Sequence, residues 1–165
     1  MGINRTGHTF GAETATSTLM NAEVKALWDG LQAAWTSYAP AWTSTGTAPA
    51  LGNGSKSGTG FQMGKTGLFR FAFQMGSTST FGTGSYNFSL PWVVNAAQWD
   101  AIGSATYLDS SSGIMWGYTL IFAGTTSGVS YGTLIDSGGN RVGLAYPVAW
   151  GTGDRITGNG SCEIM

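Results

Sequence analysis

From residue 36 onward, short runs rich in Phe, Tyr, Trp, Val and Thr alternate with clusters of Gly, Ser, Thr and Asn. Such runs, bounded by turn-forming residues, are typical of β-strands joined by turns. The clearest run, at residues 68–75, alternates strictly between bulky apolar residues and smaller or polar ones. One face takes Phe69, Phe71, Phe73 and Met75, and the other takes Arg70, Ala72 and Gln74. This part of the chain is therefore constrained to a β fold.

Nine strands are predicted from these runs. They are Tyr38–Thr43, Gly60–Met63, Gly67–Met75, Ser85–Leu90, Ala105–Asp109, Ile114–Phe122, Val129–Ile135, Val142–Val148 and Asp154–Glu163. A helical turn is predicted between strands at Asn95–Ala101. Regular short strands in an aromatic-rich segment predict a mainly β fold, a jelly-roll-like β-sandwich over residues 36–165.

Residues 19–35 carry a helical pattern instead. Apolar residues recur there at alternating steps of four and three, which is the stripe of an amphipathic helix or the seam of a coiled coil: Met20, Val24, Leu27, Leu31 and Ala34. Two interpretations stay open, a helix packed on its own domain and a parallel bundle of identical helices around a symmetry axis. Residues 1–18 are polar and irregular, and they are predicted to form an extended arm.

The charge content excludes several partners. Charged residues make up 9% of the chain, against about 25% in ordinary soluble domains. The formal net charge is −1, so nothing electrostatic favours nucleic acid or an anionic membrane. No segment approaches the ~20 apolar residues of a membrane span, and the N-terminus lacks the pattern of a signal peptide. Synthesis in a cytoplasm is therefore expected, and the lone Cys162 can form no internal disulfide.

Catalytic motifs are present only in fragments. Gly128 to Gly132 matches G-x-S-x-G, but the only histidine, His8, lies in the arm and cannot follow the serine as a hydrolase requires. Lys65 and Thr66 resemble the end of a P-loop with wrongly spaced glycines, so a turn between strands is predicted. One His and one Cys cannot build a zinc site. The sequence therefore predicts no enzyme, no cofactor and no metal.

Acidic and aromatic residues are the candidates for sugar chemistry and sugar binding. Asp109 and Asp136 are interpreted as turn residues rather than as a pair of glycosidase carboxylates. The tryptophans offer either a glycan-stacking platform or packing, and packing is favoured. The candidates for either role are Trp92, Trp99 and Trp116.

Several segments, taken in order, resemble a recurring C-terminal domain of tailed phages of actinobacteria, described as minor tail proteins or related virion surface proteins. The segments are Tyr38–Ser44, Ala50–Gly54, Gly76–Gly84 and Phe88–Pro91, followed by Pro147, Trp150, Gly153, Asp154 and a last strand carrying Glu163. Phe10, Thr18, Asn21 and Val24, ahead of Trp35, resemble the attachment-and-helix segment that precedes this domain. The chain departs from the pattern at Cys162, where an aromatic residue is expected.

The resemblance implies a non-enzymatic homotrimer of the virion, assembled in the host cytoplasm. Residues 1–18 would dock on major capsid or tail proteins, residues 19–35 would join three chains through the apolar stripe, and residues 36–165 would project outward. Two roles stay open, capsid decoration and a minor tail or fibre protein. The alternative function is a glycan-binding module that contacts host cell-wall polysaccharide.

Overall fold

The structure is a computed structural model that describes residues 22, 24, 25, 28–95 and 101–165. The chain divides into two compact units, Met1–Ala34 and Trp35–Met165. The predicted arm, Met20 and Leu27 lie outside the described residues. No helix among the described residues is long and apolar enough to span a bilayer.

In the first unit, residues 22, 24, 25 and 28–31 are helical, and the chain turns at Gln32. On this helix, Lys25 Nζ forms an ion pair with Asp29 Oδ2, one helical turn away, at 2.5 Å. The helix was predicted to reach Trp35, and this is wrong, because both Ala34 and Trp35 lie beyond its end. The physical reason is the next residue, Thr36, which already pairs with a strand of the sheet and requires extended backbone.

The second unit contains nine strands. They are β1 (Thr36–Tyr38), β2 (Trp42–Ser44), β3 (Ser55–Met63), β4 (Thr66–Gln74), β5 (Tyr86–Ser89), β6 (Ala101–Leu108), β7 (Met115–Thr126), β8 (Val129–Ile135) and β9 (Arg155–Glu163). They form one sheet in the order β1-β3-β4-β9-β6-β7-β8-β5-β2. Every neighbouring pair of strands is antiparallel. The prediction of a mainly β chain is confirmed.

The sheet curls so that its two halves face one core. β4 and β5 stand five places apart in the sheet, about 24 Å in a flat sheet with strands ~4.8 Å apart. Yet the rings of Phe71 on β4 and Phe88 on β5 stack with centroids 5.2 Å apart. Residues 39–41 connect the two end strands, and the main chains of Ala41 and Ser89 are joined by a 2.9 Å hydrogen bond there. The core therefore lies inside a curled sheet whose two edges come from one segment.

A glycine on β9 makes room for the aromatic row of β4. The alternation predicted for β4 is confirmed, since Phe69, Phe71 and Phe73 are buried. Phe71 stands between Gly58 of β3 and Gly158 of β9 in the register. A Cβ at Gly158 would collide with the Phe71 ring, so only glycine allows the ring to lie flat on β9.

Two predicted strands are wrong. Tyr38–Thr43 is not one strand, because the chain leaves the sheet at residues 39–41, where Pro40 has no N–H to donate, and its ends belong to β1 and β2 at opposite ends of the strand order. Residues 142–148 form isolated bridges and turns instead of a strand. Gly143 and Tyr146 bond to each other through both main-chain N–H groups, so the chain reverses within four residues. For the helical turn predicted at Asn95–Ala101, residues 96–100 lie outside the described part, and Ala101 begins β6.

The two ends of the sheet differ in character. At one end, here called the proximal end, lie the start of β1, the β3–β4 hairpin and the end of β9. The opposite, distal end carries four connections, residues 45–54, 75–85, 109–114 and 136–154, whereas the long connection from β5 to β6 starts and ends at the proximal end. The first two are tied together, because Ala50 and Thr80 exchange two 2.8 Å main-chain hydrogen bonds. Two segments on which the resemblance rests therefore pair with each other.

Candidate functional site

The helix presents an exposed apolar stripe. Among the described residues, Val24, Trp28 and Leu31 are 63%, 59% and 51% exposed, respectively. Steps of four and three place them on one side of a helix. Large apolar side chains clustered on one exposed face mark an interaction surface. Of the predicted interface residues, Val24 and Leu31 lie in this stripe, whereas Ala34 is exposed beyond the helix end.

The aromatic residues predicted as glycan or packing candidates occupy different settings. Trp92 is half-buried, and its ring covers Gly60 and Gly67, where a Cβ would come within 2.6 Å of ring atoms. Trp116 is half-buried and stacks on Tyr107, with ring centroids 5.5 Å apart. Trp99 lies outside the described residues. Trp92 therefore packs on the glycines of two strands.

Trp35, which the sequence placed at the end of the predicted helix, is an exposed aromatic residue of the β-domain. It is 43% exposed and lies 6.1 Å from Phe61, centroid to centroid. The Arg70 guanidinium lies 5.0 Å from the Trp35 ring centroid, a cation–π contact. The same side chain donates from Nε to Thr59 Oγ1 at 2.8 Å. The signal for this cluster was in the sequence, since Arg70 is the one charged residue in the outward row of residues 68–74.

The carboxylates at the distal end hold turns. Asp109 accepts hydrogen bonds from the hydroxyls of Ser111 and Ser112, at 2.6 and 2.7 Å, which lower its pKa to about 2. Asp136 accepts from the Asn140 amide and from the Tyr146 hydroxyl, and these bonds lower its pKa to about 2. The interpretation of both aspartates as turn residues is confirmed. Carboxylates that stay ionised in tight turns are poorly suited to proton transfer near neutral pH.

Asp154 joins two distal segments from a buried position. It is 1% exposed and accepts from the Tyr107 hydroxyl at 2.6 Å. It also accepts from the main-chain N–H groups of Ser110 and Gly151, at 2.9 and 2.8 Å. A buried carboxylate with this many donors is a structural anchor.

The motif fragments have structural roles. Ser130, in the G-x-S-x-G match, is fully buried in β8 and accepts from the Val94 N–H at 2.8 Å. Lys65 lies in the turn between β3 and β4, which confirms the predicted turn. Among the described residues, no three His, Cys, Asp or Glu side chains converge as metal ligands would.

Neither a protein-family model, nor a curated protein, nor a solved structure matches this chain. What the chain does is therefore inferred from its helix, its loops and the faces of its sheet.

Proposed function

We propose that this chain is a structural protein of a phage virion, a homotrimeric surface appendage without enzymatic activity. In this proposal the chain docks through residues 1–18 on capsid or tail proteins and is assembled in the host cytoplasm. The exposed apolar stripe of Val24, Trp28 and Leu31 carries the proposal. Burying such a stripe in a parallel bundle of identical helices removes it from water.

The polarity of the β-domain supports an appendage anchored at one side. The chain begins β1 toward the proximal end, where the hairpin and the end of β9 also lie. Four connections, including the longest one at residues 136–154, lie at the distal end and are held by main-chain hydrogen bonds. A protein fixed through its N-terminal segments would present these loops away from its attachment point.

We further propose that the curled sheet is a jelly-roll-like β-sandwich. Its halves pack face to face through aromatic side chains, as Phe71 and Phe88 do with 5.2 Å between ring centroids. The two end strands are only three residues long, which leaves little open edge for pairing with other proteins.

The oligomeric state tests the role of the helix. Sedimentation equilibrium of the full chain should give three times the 17.1 kDa chain mass. Leu31→Asp should reduce this to the monomer, because three carboxylates would surround an apolar axis. Ala22→Asp is the matched control, since Ala22 lies on the opposite side of the helix and should leave the trimer intact. A monomeric wild-type chain, or a trimer that survives Leu31→Asp, would contradict the bundle.

The copy number in purified particles tests the virion role and separates its two forms. Quantitative mass spectrometry against the major capsid protein gives this ratio. A near-stoichiometric ratio would identify capsid decoration, and a few copies per particle would identify a minor tail or fibre protein. Absence of the chain from particles would refute the virion role.

A further inference from the structure

A long, shallow groove crosses the outward face of β3, β4 and β9. Four adjoining depressions of about 390 to 600 Å³ make up this outer groove. It extends from Ser55 and Arg155 toward the distal end to Thr66 and Glu163 at the proximal end. β4 and β9 pair over nine residues, about 30 Å at ~3.4 Å per residue. The outer groove therefore has the length of an extended polymer segment.

Small hydroxyl and amide side chains line the outer groove. Those that alternate outward from the strands are Ser57, Thr59, Thr157, Asn159 and Ser161. Each can both donate and accept hydrogen bonds. At its edge, Trp35 and Arg70 form the cation–π pair. Hydroxyl-binding groups beside an aromatic ring suit a sugar chain, which presents hydroxyls around its edge and C–H groups on its faces.

The outer groove also collects most of the basic residues of the domain. Residues 35–165 contain five Lys and Arg side chains. Three of them line the outer groove: Lys65, Arg70 and Arg155. Lys56 is in register with the buried Phe73 and therefore lies on the other face of the sheet. Within the described part of the chain, none of the three is ion-paired with a carboxylate. Among the described residues, Glu163 is the one acid that lines the outer groove, so these side chains give it a local charge of +2 on a chain whose net charge is −1.

The spacing of these charges limits which class of polymer can bind in the outer groove. Arg155 is in register with Gln74, four residues along β4 from Arg70, which is about 14 Å at ~3.4 Å per residue. Duplex DNA carries one charge per ~1.7 Å of axis, far denser than this. An extended peptide adds a strand at a free sheet edge, but β4 and β9 are each paired on both sides. A hydroxyl-rich chain with widely spaced anionic groups therefore fits the outer groove best.

From these observations we infer that the outer groove binds an anionic linear polysaccharide. Arg70 and Arg155 contact its acidic groups, and the hydroxyl and amide side chains bind its sugar hydroxyls. The proposed glycan site is therefore the outer groove and not a surface formed by Trp92, Trp99 and Trp116. The groove lies within one chain, so ligand binding does not depend on the proposed trimer.

The test uses the full chain and hyaluronate, a linear polysaccharide with one carboxylate per disaccharide. Affinity electrophoresis gives the dissociation constant from retardation at increasing polymer concentration. We expect hyaluronate to be bound and neutral dextran to cause at least tenfold less retardation. Arg155→Gln and Arg70→Gln should each weaken hyaluronate binding about tenfold, as expected for loss of one charge-assisted hydrogen bond. Arg141→Gln, which removes the one domain arginine outside the outer groove, is the matched control and should bind as wild type does.

Several results would overturn the inference. They are no retardation by hyaluronate, equal retardation by dextran, or unchanged binding by Arg155→Gln. Retention of a thymidine oligonucleotide or of polyglutamate as strong as that of hyaluronate would instead identify a general polyanion site. Near-UV circular dichroism verifies that the variants are folded, and Arg155→Gln leaves the Trp35 contact of Arg70 untouched. Sedimentation equilibrium of the same samples measures the oligomeric state separately, so a wrong prediction of the trimer is distinguished from a wrong prediction of polysaccharide binding.

Discussion

The buried carboxylate of Asp154 allows a prediction whose size follows from its neighbours. Asp154→Ala removes the acceptor of the Tyr107 hydroxyl, and Tyr107 is fully buried, so no water replaces it. A lost charge-assisted hydrogen bond of this kind costs about 2 kcal/mol. The main-chain N–H groups of Ser110 and Gly151 are nearer to solvent and add about 0.5 kcal/mol each. We expect a loss of about 3 kcal/mol in the free energy of unfolding.

Urea denaturation, followed by tryptophan fluorescence, measures this loss. The midpoint should fall while the slope with urea concentration stays unchanged, because the surface exposed on unfolding is the same. A double-mutant cycle isolates the central bond. Tyr107→Phe removes the donor, so adding it to Asp154→Ala should cost less than the two single changes summed, by roughly 2 kcal/mol.

The control is Asp109→Ala, which removes an exposed carboxylate from a neighbouring turn and should shift the urea midpoint far less. Two results would refute the reasoning. One is a loss below about 1 kcal/mol for Asp154→Ala, which is less than the cost of one buried unsatisfied donor. The other is strict additivity in the cycle, which would mean that the bond between Tyr107 and Asp154 contributes nothing.

Three further outcomes are expected. The folded-state pKa of both Asp109 and Asp136 is lowered to about 2, so the stability that their ionised forms add is present above pH ~4 and is lost as the pH falls toward 2. The urea midpoint should therefore fall between pH 5 and pH 2. Asp136→Asn should make this fall in the urea midpoint smaller. Gly158→Ala should destabilise the fold by about 1 to 3 kcal/mol through overpacking, whereas Gly117→Ala, where a Cβ meets open space, should be close to neutral; equal thermal midpoints would contradict this. The thiol of Cys162 is buried and its pKa is raised to about 11, so it should resist an aromatic disulfide reagent at pH 8 until urea unfolds the chain, and rapid labelling of the native protein would contradict that burial.

Alternation and turn residues were enough to predict the central strands. The bounds predicted for β8, Val129–Ile135, are those of the structure. The first five residues of β3 were not predicted, because residues 55–59 are polar, contain glycine and have low strand propensity. It is a strand because it pairs with β4 over nine residues and because its glycines accept aromatic rings. The signal available was the Gly-x-Gly spacing, at residues 58–60 and again at 158–160, matching the spacing of the phenylalanines between them.

The Trp35 cluster and the outer groove were predicted less completely than the strands, because both depend on which strands become neighbours in the sheet. The helical pattern of residues 19–35 placed Trp35 at the end of the predicted helix. Pairing of Thr36 with Gly60 overrides that local preference. The outer groove could not be predicted, because Arg70 and Arg155 are far apart in the chain. Only the pairing of β4 with β9 brings them to one face.

The place of β9 in the sheet order has a consequence for how the chain folds during synthesis. Of the nine strands in this sheet, β9 is made last, and it lies in a central position between β4 and β6. Until residues 155–163 leave the ribosome, β4 and β6 each expose an unpaired edge. Formation of the complete sheet must therefore wait until residues 155–163 have been made, and such long-range pairing is slow. A nascent chain that has not yet made β9 exposes two unpaired strand edges, which can pair with other chains. We therefore expect chaperones to bind this incomplete form in preference to the complete domain.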